Sequence, residues 1–289
     1  LEMVRQVARA LGRREHDVGF AGLKDAHAVT RQMLSLEHID PSVVQGLDIP
    51  RVRVLAVDRH RNKLKLGHLA GNRFRIKIRG IAPEAAQVAR DVLQVLEKRG
   101  VPNYFGLQRF GVRRDSWLLG RAIIRKDPQD FLDQFCGRPV PEDRDIPRRA
   151  RELYDRGEYG LAAKVWPGFF RDARRVCHIL AGPKGTALKA FYSVDKRLKR
   201  LFVSAYQSYL FNQVLSERLD TFDRVVTGDL AYKHANGAAF WVEEAEAEQP
   251  RAAAFEISPT GPLFGYRMSA PKGEPARLDP GGVAGGLGL

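Results

Sequence analysis

Arg73-Phe74-Arg75-Ile76-Lys77-Ile78-Arg79 is the cleanest two-residue alternation in this chain. On an extended strand Phe74, Ile76 and Ile78 share one face, and Arg73, Arg75, Lys77 and Arg79 share the other. The basic face has two readings that the pattern alone leaves open. It is either a surface for phosphates or the solvated outer side of an antiparallel strand. Upstream, from Asp17 to Arg79, the texture stays strand-like, with Val18-Gly19-Phe20-Ala21-Gly22 and the alternating Thr30-Arg31-Gln32-Met33-Leu34-Ser35-Leu36. Downstream, Pro83 suits a first helical turn, and Ala85, Val88, Ala89, Val92, Val95 and Leu96 recur at helical spacing until Gly100. Strands beside an amphipathic helix point to an α+β domain with helices on one face of an antiparallel sheet, over residues 1–126.

After Arg125-Lys126-Asp127-Pro128 the pattern turns helical, and a second, mostly helical α+β domain is expected over residues 127–289. Pro, Asp and Arg clusters near 138–151 read as loops. The longest predicted helix runs from Asp195 to Leu219, with Leu198, Leu201, Phe202, Ala205, Tyr209 and Leu215 as a core-packing stripe. The acidic run Val242–Glu248 reads as a solvated loop or helix face. Residues 1–11 read as an amphipathic helix already in progress, with more chain expected upstream, and the five glycines of 280–289 read as a tail or linker.

The chain has 289 residues, of which 44% are hydrophobic and 9% aromatic, enough to bury a core, so wholesale disorder is excluded. No apolar run approaches the ~18 residues of a membrane-spanning helix, and no signal segment opens the chain, so a cytoplasmic protein without a membrane partner is expected. Lys plus Arg number 48 against 34 Asp plus Glu, a formal charge of +14 that favours a polyanionic partner such as nucleic acid. Cys136 and Cys177 form no CxxC pair and read as ordinary buried thiols. The seven histidines lack ligand spacing, and no HExxH, GxSxG or phosphate loop occurs, so neither a metal nor a nucleotide cofactor is expected.

Two segments remain as carriers of chemistry. Ala21-Gly22-Leu23-Lys24-Asp25-Ala26-His27-Ala28-Val29-Thr30-Arg31-Gln32 is a polar loop between strand-like runs, a place where sites concentrate, although Lys24 beside Asp25 also reads as a surface ion pair. Val101-Pro102-Asn103-Tyr104-Phe105-Gly106-Leu107-Gln108-Arg109-Phe110-Gly111 mixes three aromatics, an amide and glycine breaks, which is odd for a core and natural for holding a flat base.

These two segments resemble the TruD type of transfer-RNA pseudouridine synthase: Gly22 to Gln32 is similar to its GxKDxxAxTxQ stretch, and Asn103 to Gly111 to its NxFGxQRFG stretch. Further likeness lies in Lys63–Phe74, Ala205–Asn212 and Pro259–Gly265. The resemblance implies a pseudouridine-synthase core over 1–126 with a TRUD insertion domain over 127–289, and an isomerase acting as a monomer on tRNA, at uridine 13 of the D-arm. It implies Asp25 as the essential carboxylate and Phe105 as the aromatic beside the target base, with Asn103 shaping the same pocket. Lys24, Gln32, Arg109, Arg73 and Arg75 are the further substrate-binding candidates. The resemblance also implies a first strand that supplies a lysine near the carboxylate and final strands that return to the core; neither is read in this sequence. The alternative is a catalytically inactive RNA-binding or chaperone protein on the same scaffold.

Overall fold

The computed structural model describes residues 2–25 and 27–278, which fall into two compact units divided between Ala82 and Pro83. The glycine-rich segment 280–289 lies outside the described residues. The architecture is α+β, with helices predominating over two small antiparallel sheets.

In the first unit, α1 (Glu2–Ala10) buries Val4, Val7 and Ala8, and Val4 and Ala8 meet Val18 in a small core flanked by Phe20, Leu34 and Leu36. Two short strands, β1 (Gly19–Phe20) and β2 (Leu34–Ser35), pair antiparallel with Gly19 opposite Ser35. Gly19 is required there, because a Cβ would run into Ser35 Oγ and the Leu64 carbonyl. Segment 63–67 is stitched alongside: Leu64 N–H donates to Ser35 Oγ at 2.8 Å and Gly67 N–H to the Ala21 carbonyl at 3.0 Å. A short helix α2 (Pro41–Gln45) follows, capped by the Asp40 carboxylate.

The strand expected over 73–79 does not form among the described residues. No segment ladders with it, and Phe74, Ile76 and Ile78 are 70%, 78% and 72% exposed. Alternation supplies a face to bury, but a strand exists only once a neighbour takes up its amides and carbonyls.

In the second unit, α3 (Ala85–Arg99) forms where its spacing predicts and ends at Gly100, whose φ of +83° suits glycine. Its expected buried stripe is not buried: Val88, Val92 and Val95 are exposed and Leu96 only half-covered. Its C-terminal end is nevertheless anchored, since Arg99 grips the Asp223 carboxylate at 2.7 Å and the carbonyls of Leu219 and Asp220. Next come α4 (Ser116–Ile124), α5 (Pro128–Cys136), α6 (Asp145–Asp155), α7 (Tyr159–Val165), α8 (Arg171–Leu180), α9 (Ala187–Ser193) and the long α10 (Lys196–Glu217). The helix α6 overturns part of the loop expected at 138–151: Pro147 falls in its first turn, where proline is tolerated, and Ala150, Leu153 and Tyr154 supply a buried face.

The core of this bundle is Phe131, Leu132, Cys136, Val176, Cys177, Val194 and Phe202. Both cysteines are free and buried, as expected, and burial pushes the Cys136 thiol well above its ordinary pKa. Helices α4 and α10 approach backbone to backbone at Gly120, where a Cβ would collide with the Phe202 carbonyl and with Tyr206. Beyond α10, strands β3 (Leu230–Lys233), β4 (Ala239–Trp241) and β5 (Ile257–Pro259), with α11 (Ala245–Ala253) before the last, form an antiparallel sheet in the order β4-β3-β5. The exposed Glu243, Glu244 and Glu246 match the solvated acidic run. Arg218, just past α10, ties this sheet on by pairing with the buried Asp229 at 2.6 and 2.8 Å.

Candidate functional site

The segment 103–111 is held by α10, and the holding groups have a pattern. Ser204, Ser208, Asn212 and Ser216 stand four residues apart, a polar row on a helix that otherwise packs Phe202, Ala205, Leu210 and Val214 inward. Together the four take three residues of the segment. The Asn212 side chain brackets Phe105, its Oδ1 accepting from the Phe105 N–H and its Nδ2 donating to the Phe105 carbonyl, both at 2.9 Å. Ser216 Oγ meets Tyr104 OH at 3.0 Å. Arg109 donates from Nε to Ser208 Oγ at 2.9 Å and from Nη2 to Ser204 Oγ at 2.6 Å.

The Phe105 ring is thereby fixed, half-buried, between two partners. Phe211 meets it edge-on at 5.3 Å between centroids, and the Arg109 guanidinium lies 5.5 Å from its centroid. Gly261 passes so close to the Phe211 ring that a Cβ would clash, so the ring behind Phe105 is itself wedged. The two groups holding Arg109 are neutral hydroxyls, so its positive charge is not cancelled among the described residues. An aromatic face beside an uncompensated guanidinium suits a planar base attached to a phosphate chain. Phe110 is buried below, while Asn103 is exposed. Trp117 and Tyr209 stack at 3.8 Å and brace α4 against α10.

In the first unit, the loop between β1 and β2 carries Lys24, Asp25 and Gln32. Asp25 is exposed, and Lys24 and Gln32 are half-buried. The Lys24 ammonium donates to Asn72 Oδ1, which joins this loop to segment 63–72. Leu69 lies against Gly22. The loop is therefore tied by a residue that sequence reading did not single out as a partner, Asn72, while Ser35 at its far end holds Leu64. Arg73 and Arg75 follow directly, both exposed and without a salt bridge among the described residues. Lys63 pairs instead with Glu37 at 2.9 Å.

Among the described residues no cluster of His, Cys, Asp or Glu is arranged to hold a metal ion, and no helix is long and apolar enough to cross a membrane. Asn212, Ser204 and Ser208 are the site residues that reading the sequence missed. Their signal was present as the four-residue polar repeat inside an apolar helix.

The family model described as "tRNA pseudouridine synthase D (TruD)" matches residues 1–280. A tRNA pseudouridine synthase D of Geobacter sulfurreducens is 50% identical over 279 residues, covering 96% of this chain and 68% of the relative. The Geotalea daltonii protein of the same name is 47% identical over 279 residues, covering 96% of this chain and 70% of the relative. Among solved structures, the putative tRNA pseudouridine synthase D of Methanosarcina mazei aligns with a TM-score of 0.84 at 28% identity, over 96% of this chain and 67% of that one.

Proposed function

This chain belongs to the tRNA pseudouridine synthase D family, a family of isomerases, and we propose that it converts uridine 13 of a tRNA to pseudouridine with Asp25 as the acting carboxylate. The reaction breaks the bond from ribose C1′ to uracil N1, turns the base, and joins C1′ to C5. The C5 hydrogen leaves as a proton and N1 gains one, so atoms balance with no redox change and no high-energy donor.

Such a reaction needs a carboxylate at the sugar, attacking C1′ or removing the 2′ proton, and a surface that keeps the detached base from escaping. Asp25 serves the first need from its exposed loop, whose neighbour Lys24 is fixed by Asn72. Phe105 serves the second. Stacking contributes roughly 1–3 kcal/mol per base and, unlike a set of hydrogen bonds, tolerates rotation of the ring it holds. That offsets the few kcal/mol needed to take a base out of a folded RNA. Arg109 adds positive charge beside the ring, Asn103 and Gln32 add polar contacts, and Arg73 and Arg75 offer phosphate contacts from a segment exposed on both faces. The observation that carries the reading is the half-buried Phe105 ring, held at its backbone by one hydrogen bond to and one from Asn212 and flanked by the Arg109 guanidinium. Residues 1–126 then belong to the catalytic core and 127–289 to the TRUD insertion, in a cytoplasmic monomer that uses no metal or cofactor.

The test is tritium release from a tRNA transcript labelled at uracil C5, since forming the new carbon–carbon bond expels that hydrogen. Release from the native transcript, and its loss when position 13 is cytidine, is the expected result. Release that persists with cytidine at 13 moves the target elsewhere, and binding without any release favours the inactive RNA-binding protein.

A further inference from the structure

The first half of α10 borders a groove of about 400 Å³ that the proposed reaction leaves unused. Ile123, Phe191 and Val203 make its floor apolar, while Lys196, Lys199 and Arg200 stand around it and Ser204 and Gln207 close the far end. None of these three cations forms a salt bridge among the described residues. Lys199 is the most constrained of them. Its ammonium donates to the Phe191 carbonyl at 3.2 Å and sits 4.4 Å from the Phe191 ring centroid, and burial together with the neighbouring Lys196 holds its pKa below the ordinary lysine value. The Asp195 carboxylate offsets part of the mutual repulsion at Lys199, and an anion in the groove would offset more of it.

The groove also shares a wall with the Phe105 site. Ser204, which closes it, is the hydroxyl that accepts Arg109 Nη2 at 2.6 Å, and Arg109 lies over the Phe105 ring. Lys196, Arg200, Ser204, the buried Ser208 and Asn212 stand four residues apart along one helix, so the groove and the groups that hold the Phe105 segment follow one another on it. We propose that this groove takes a second nucleotide of the same RNA, its phosphodiester against Lys196 and Arg200 and its base on the floor of Ile123, Phe191 and Val203. A volume of 400 Å³ lies within the usual range for ligand pockets, roughly 300–1,000 Å³. The inference rests on the reading of tRNA as the substrate.

The experiment is binding of an unmodified tRNA transcript, measured from about 50 to 300 mM salt, by the wild-type chain, by the double variant Lys196→Ala/Arg200→Ala and by the charge-keeping Lys196→Arg/Arg200→Lys. Both positions are exposed on the helix, so the fold is expected to survive. The alanine pair should raise Kd about tenfold and flatten the slope of log K against log salt by about 1, for the one phosphodiester lost, while the charge-keeping pair retains the slope. A control pair on other elements, Lys164→Ala/Lys184→Ala, should change both far less. An unchanged slope in the groove variant, or an equal drop in the control pair, overturns the proposal. The two readings fail separately. A full groove effect without tritium release from the wild type defeats only the isomerase, and turnover with no groove effect defeats only the second nucleotide.

Discussion

Replacing Asn212 with alanine removes both hydrogen bonds that bracket Phe105 and leaves its N–H and carbonyl without those partners. Each such bond contributes about 1 kcal/mol net, and more when the stranded group is fully buried. The site is half-buried, so water recovers part of the loss, and the two together come to about 2 kcal/mol. For a unit of this size about 1 kcal/mol moves Tm by roughly 2–4 °C, so Asn212→Ala should melt about 4–8 °C lower. It should also weaken tRNA binding, because the ring is no longer aimed. Asn212→Asp keeps the acceptor for the Phe105 N–H but sets a carboxylate against the Phe105 carbonyl, and is expected to be no better than alanine. Thermal unfolding followed by circular dichroism, with tRNA Kd on the same preparations, reads both effects. A Tm within about 1 °C of wild type, with unchanged Kd, would refute the argument that Asn212 positions the ring.

Phe105→Ala removes the stacking surface, and tRNA affinity should fall about tenfold to a hundredfold, measured by filter binding; an unchanged Kd would count against a base resting on this ring. Gly120→Ala forces a methyl into the Phe202 carbonyl where α4 crosses α10, and should cost about 1–3 kcal/mol or more in urea unfolding, whereas a neutral outcome would mean the helices part easily. The Arg99 guanidinium hydrogen-bonded to Asp223 holds that carboxyl below its ordinary pKa. A depressed folded-state pKa gives stability that is present above the unfolded value, near ~3.9, and is lost as pH falls through the folded value. The stability gap between wild type and Asp223→Asn should therefore be open at neutral pH and close in acid, and a gap independent of pH would contradict the pairing.

The helices were largely legible because their signals are local. Asp195 caps α10 by accepting from the Arg197 and Leu198 amides, and the α3 helix stops at a glycine of positive φ. What periodicity does not carry is the identity of the neighbour. Segment 73–79 has the alternation of a strand and no ladder among the described residues, and α3 has an apolar stripe that stays exposed. The Phe105 segment stood out from its composition, but the surface receiving it did not. Tyr209 read as part of the core-packing stripe and does stack on Trp117, whereas Phe211, which lies outside that stripe, backs Phe105, and Asn212 holds it. Lys24 read as a partner for its neighbour Asp25 and instead reaches Asn72, forty-eight positions away, a contact that only the folded chain brings together.

The most direct measurement is single-turnover tritium release from C5-labelled tRNA by Asp25→Asn, with tRNA binding measured alongside. The amide keeps the shape of the side chain and removes its charge. The account expects release to fall by about four orders of magnitude or more while Kd stays within about threefold of wild type. An Asp25→Asn chain that still releases tritium within about tenfold of the wild-type rate would contradict it, because the carboxylate acting at the ribose would then lie elsewhere.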